Sequence, residues 1–184
     1  SDVCSSDLSC AGLDAVWDEL SAGFSGQPFL EELIDLFKSI YSQQRNLALA
    51  TRIWVNRCFG HLGLVVLDAR DARLKAEFIP AMKRELETQM TRQAVQELVS
   101  EHVSRGEPAI HPREINLFFI DAEGRFRIQK DGTDCFKLVG SDKEWDLNGI
   151  LTEMDQHPER FSPNVLMRPL YQEIILPNIA YIGG

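Results

Sequence analysis

The chain has 184 residues, 44% hydrophobic and 26% charged, a balance that suits a globular protein able to bury a core. Its net charge of -9 argues against gripping nucleic acid or an anionic membrane through bulk electrostatics, but is compatible with a small local anion site. The longest apolar run, Leu62 to Leu67, is far too short to span a bilayer.

The cysteines are Cys4, Cys10, Cys58 and Cys135, with no C-x-x-C pair. His61, His102, His111 and His157 form no cluster with them, so no metal site is expected. That usage fits a reducing, cytoplasmic protein without structural disulfides. The first ten residues, SDVCSSDLSC, are aperiodic and look like translated adapter sequence; 1–10 is read as an artefactual tail.

Leu13, Val16, Trp17 and Leu20 mark a first amphipathic helix, broken by Ser25 to Pro28. Leu30, Leu33, Ile34, Phe37 and Tyr41 predict a second, and Ala50, Ile53, Trp54 and Cys58 a third. The run GLVVLDA, bounded by Gly63 and Asp68, has the pattern of a fully buried parallel strand. Asp71 can cap the next helix, with Leu74, Phe78, Met82 and Leu86 on one face and Pro80 expected to kink it or mark a fresh start. Met82 to Arg105 is polar on most faces, which suggests a solvated, protruding helical hairpin or coiled-coil contact.

The period then changes to alternation. Asn116 to Asp121, Arg125 to Gln129 and Cys135 to Val139 predict a three-stranded antiparallel meander, with Phe126, Ile128, Phe136 and Leu138 on its apolar side. Trp145 to Gln156 reads as a short helix. The last stretch, His157 to Gly184, sets Asn164, Arg168, Gln172 and Glu173 among prolines and apolar residues. Pro169 predicts a helix starting near it and ending by Pro177. The free N–H groups of that helix start, beside Arg168, would suit a carboxylate or phosphate. The bland alternative is that Arg168 clamps Glu173 or another carboxylate. Gly183 and Gly184 would let backbone approach a ligand, or form an ordinary turn. Asn116 can bond a ligand or cap a turn. Cys58 and Cys135 read as small buried hydrophobes, His61 as a helix cap and His157 as a turn residue.

FGHLGLVVLDARDARLK, REINLFFID and above all HPERFSPNVLMRPLYQEIILPNIAYIGG resemble the cysteine-adding enzyme of bacillithiol biosynthesis, from about Leu13 to Gly184. The likeness covers about the middle third of that family's chain. It implies an α/β fold, a fragment of a Rossmann-like core related to class I nucleotidylyltransferases, with a helical coiled-coil segment that mediates homodimerisation and a small meander insertion. On this reading 11–80 belongs to the core, 81–157 is a connecting insertion of long helix plus meander, and 158–184 returns to the core as a substrate-pocket segment.

The resemblance implies ligation of cysteine to glucosaminyl malate. Asn164, Arg168, Gln172, Glu173, Gly183, Gly184 and Asn116 are then the candidate substrate-binding residues, with the malate group as the anion facing Arg168. It leaves open whether ATP or another nucleotide is used, and no catalytic base is assigned. The family's glycine-rich nucleotide region falls outside this stretch, so the fragment is expected to be inactive alone. Two rivals are a nucleotidylyltransferase-like enzyme of other substrate and a helical dimerisation module without chemistry.

Overall fold

The computed structural model of the chain describes residues 12–44, 46–106, 112–132 and 134–180. The sequence-based reading of 1–10 as a tail falls outside them. The chain divides into two compact units, Ser1–Asp68 and Ala69–Gly184.

In the first unit the three predicted helices form as α1 (Asp14–Gly23), α2 (Leu30–Tyr41) and α3 (Leu47–Phe59). Their apolar stripes meet in a small core of Trp17, Ile40, Tyr41 and Ala50. Phe37 stacks on Trp17 at 5.8 Å and on Trp54 at 4.8 Å between centroids, contacts that add to plain area burial. Asn46 caps α3 by accepting from the Leu49 N–H at 3.0 Å. Phe29, ahead of α2, has a left-handed backbone, φ 62°, while its ring is 71% exposed.

The buried parallel strand expected at GLVVLDA does not form. Residues 64–68 carry no regular structure, and Leu64, Val65 and Leu67 are 46%, 75% and 42% exposed. The composition is that of a strand. A parallel strand, however, exists only through hydrogen bonds to its neighbours, and no described strand pairs with this one.

In the second unit α4 (Ala72–Thr88) starts at Asp71, whose carboxylate accepts from the Arg73 N–H at 2.9 Å. Pro80 lies inside this helix and does not end it. Phe78 and Met82 on either side are fully buried and hold the helix through the proline. The break comes instead at Gln89, φ 55° and ψ 40°, and α5 (Met90–Ser104) follows. The left-handed turn costs a non-glycine residue about 1–2 kcal/mol. It is held by the Gln89 side chain donating to Glu114 at 3.0 Å and the Gln93 side chain donating to the Thr88 carbonyl at 2.8 Å.

The predicted meander is β1 (Leu117–Asp121), β2 (Gly124–Asp131) and β3 (Cys135–Leu138). Two short strands that the sequence reading missed, β4 (Glu144–Asp146) and β5 (Phe161–Pro163), extend it to a five-stranded antiparallel sheet ordered β4-β3-β2-β1-β5. Two helices complete the unit: α6 (Leu147–Gln156), capped by Asp146, and α7 (Arg168–Ile175). The core joins α4 (Phe78, Met82, Leu86), the inward residues of the strands (Leu117, Phe119, Ile128, Phe136, Leu138, Phe161), α6 (Ile150, Met154) and α7 (Tyr171).

One expectation fails inside α4. Glu85, read as part of a solvated face, is fully buried. It sits three residues after Met82 and seven after Phe78, so it belongs to the buried stripe.

Candidate functional site

The predicted helix starts where Pro169 indicates, as α7 over Arg168–Ile175. Two inward residues, Met167 and Tyr171, fasten it. The Tyr171 ring lies 4.9 Å from that of Phe78, its hydroxyl donates to the Ala69 carbonyl at 2.9 Å, and the Lys75 ammonium stands over it at 4.7 Å. The opposite face presents Arg168 and Gln172, one turn apart and both exposed. The Arg168 guanidinium has no protein partner among the described residues, so the alternative clamp to Glu173 is not made. Glu173 instead accepts from the Asn178 backbone at 3.0 Å and its side chain at 3.2 Å.

The helix start is not the open set of N–H donors that the sequence suggested. The Asn164 side-chain oxygen accepts from the Leu166 and Met167 N–H groups at 2.9 and 3.2 Å, and the Arg168 N–H donates to the Asn164 carbonyl at 3.0 Å. Pro169 has no N–H to offer. The positive charge facing any anion held here would come from the Arg168 side chain.

Behind Asn164 lies a buried polar chain. Its Nδ2 donates to Oδ1 of Asn116 at 2.7 Å. Asn116, 1% exposed, also accepts from the Arg113 N–H at 3.2 Å, donates to the Arg113 carbonyl at 2.8 Å, and donates to Oε1 of Glu85 at 2.8 Å. All the hydrogen-bonding positions of its amide are thus engaged within the protein. Glu85 accepts two further N–H groups, from Asn116 at 3.0 Å and from Thr91 at 2.9 Å. The structure therefore brings Asn116 and Asn164 together, and leaves Arg168 and Gln172 on the surface beside them. Gly183 and Gly184 lie outside the described residues.

Beside the start of α7 is a groove of about 530 Å³, walled by Met90, Ala94 and Val95 of α5 on one side and Leu166, Met167 and Leu170 on the other, with Arg84, Thr91 and Gln93 supplying polar groups. Its volume is in the range of small-molecule sites. Sequence reasoning missed it, because the walls come from segments more than seventy residues apart. The first unit has a larger concavity, about 740 Å³, but Glu31, Glu32 and Asp35 among its lining give it the wrong sign for an anionic ligand. Among the described residues no group of three His, Cys, Asp or Glu is placed to hold a metal ion, and no helix is long and apolar enough to cross a membrane. Cys58 and Cys135 are free thiols, both half-buried.

Helices in the first unit, and helices packed on a five-stranded sheet in the second, make this an α/β chain. The model of the family described as bacillithiol biosynthesis BshC, N-terminal Rossmann-like domain, matches residues 1–184, and the chain belongs to that family. It is 45% identical over 177 residues to a protein of Flavobacterium johnsoniae named "Putative cysteine ligase BshC", covering 96% of this chain and 33% of that protein. Proteins of the same name from Christiangramia forsetii and Chlorobaculum tepidum are 42% and 34% identical, covering 96% and 85% of this chain. The chain spans about a third of the length of these relatives.

Proposed function

We propose that the chain is part of a cytoplasmic ligase that adds cysteine to glucosaminyl malate in bacillithiol biosynthesis, and that its local task is to form one wall of the substrate pocket. Family membership and the name of the relatives support the reaction. The observation that carries the local role is Arg168, an exposed guanidinium without a protein partner on a helix whose start is pinned from behind. A carboxylate such as the malate group can pair with it in bidentate fashion. Gln172, one turn on, adds a neutral donor, and Glu173 and Asn178 brace the helix end. Asn116 and Asn164 serve the pocket from behind, and Gly183 and Gly184 would close its edge.

In this reading 81–157 is a connecting insertion on the Rossmann-like core, and 158–184 returns to that core. The complete protein is a homodimer through a coiled coil, to which the exposed Leu98 and Val103 of α5 contribute.

Titration of the complete chain with glucosaminyl malate tests the proposal. Arg168→Gln should weaken binding by about tenfold or more, the loss of a charge-assisted pair, with the melting temperature unchanged. Equal affinity in the variant would sink it. A loss confined to nucleotide binding would move the assignment to a nucleotidylyltransferase-like enzyme of other substrate.

A further inference from the structure

We infer that Glu85 is a positioning residue for this site, although it lies on the far side of the polar chain from Arg168. Its carboxylate uses both oxygens: Oε2 takes the Thr91 N–H in the first turn of α5, and Oε1 takes both the backbone and side-chain N–H of Asn116. Asn116 passes the connection to Asn164, and Asn164 fixes the two N–H groups ahead of Arg168. One fully buried carboxylate therefore ties the α5 wall of the groove to its α7 wall. Without it, nothing else in this chain of bonds reaches Thr91.

A carboxylate is what the position requires. Three N–H donors converge on it from two directions, and a carboxylate is acceptor-only at both oxygens. Glutamine has the same size but one oxygen. It can serve Asn116 or Thr91, and must turn its NH₂ toward the donor it abandons, a costly mismatch in a buried place. The consequence is expected two links along the chain of bonds, at Leu166 and Met167, to which Glu85 makes no hydrogen bond of its own. This separates a positioning role from local packing.

The test is amide hydrogen exchange of the 184-residue chain, compared with its Glu85→Gln variant. The Thr91, Asn116, Leu166 and Met167 amides should exchange about tenfold or more faster in the variant, while Ile128 and Leu138 in the β2–β3 pair keep their protection. In an Asn164→Ala background, Glu85→Gln should add nothing further at Leu166 and Met167, since the connection is already cut. Unchanged exchange at those two residues, or additive effects, would overturn the inference.

Should Glu85→Gln fail to fold, the wild-type chain decides: under mild denaturant the Thr91, Asn116, Leu166 and Met167 amides should open together with a common protection. Opening of Leu166 and Met167 well before the other two would refute it. The inference rests on the proposed role of Arg168 only for its bearing on ligand. In the complete chain, Glu85→Gln should weaken malate binding while a remote variant, Lys130→Gln, does not. If exchange changes as expected but malate affinity is indifferent to both Glu85→Gln and Arg168→Gln, the pocket assignment fails and the positioning of α7 stands.

Discussion

Asn164 and Asn116 are joined twice, side chain to side chain at 2.7 Å and backbone N–H to carbonyl at 3.0 Å. The double link continues the β1–β5 pairing past the end of the strands and delivers the chain to α7 in a fixed direction. The same Asn164 side chain then holds the Leu166 and Met167 N–H groups of the turn that leads into that helix. A single amide thus ends one element and begins another.

Asn164→Ala should consequently destabilise the chain by about 2 kcal/mol, because it removes both bonds to the turn before α7 and strips a partner from buried Asn116. Urea unfolding measures it; a change under about 0.5 kcal/mol would show these bonds to be dispensable.

Phe29 presents the opposite case. Its left-handed backbone carries a strain that glycine would not feel, and its exposed ring contributes little packing. Phe29→Gly is expected to stabilise by about 0.5–1 kcal/mol despite the extra freedom glycine gives the unfolded chain. A lower urea midpoint would contradict this.

Val65 probes the strand-like run. At 75% exposure, Val65→Asp should leave the stability of the 184-residue chain within about 0.5 kcal/mol. If a sheet in the complete chain buries this segment, the same change there should cost about 2 kcal/mol or more. Equal effects in the two chains would mean the segment stays on the surface.

Lys137 gives a pH signature. Its ammonium is held above the ordinary lysine value, first by the hydrogen bond with Asp131 and then by the attraction of that carboxylate. A raised folded-state value means the contribution is complete below the ordinary value of 10.5 and disappears as pH rises through the higher folded one. Alkaline titration by NMR should therefore show the Lys137 side chain losing its proton above that value, and Asp131→Asn should lower the pH at which it does so. Since both groups are at the surface, no appreciable change in overall stability is expected.

Much of this was legible in the sequence. Alternation and the turns between the runs located the meander, Pro169 located the start of α7, and Asp71 stands at the cap expected of it. The short strands β4 and β5 were not legible, because three residues carry too little pattern and pair only through tertiary context. Glu85 was missed although its spacing from Phe78 and Met82 put it on the inward stripe; a charged residue there was read by type rather than by position. For the candidate site, Arg168 and Asn164 could be picked out as costly polar residues among apolar ones. Their division of labour could not, since it depends on Asn116, forty-eight residues away, having no room for another partner.

The failed strand has a practical side. Leu62 to Leu67 is an uncharged, β-prone hexapeptide, most of it open to solvent, with acidic and basic residues following it only from Asp68 onward. Such a segment is a template for edge-to-edge association between molecules. Concentrated solutions of the 184-residue chain should accordingly form intermolecular β-structure seeded at this hexapeptide, and the quaternary behaviour of the polypeptide would then turn on whether Leu62 to Leu67 finds its sheet within one molecule or between two.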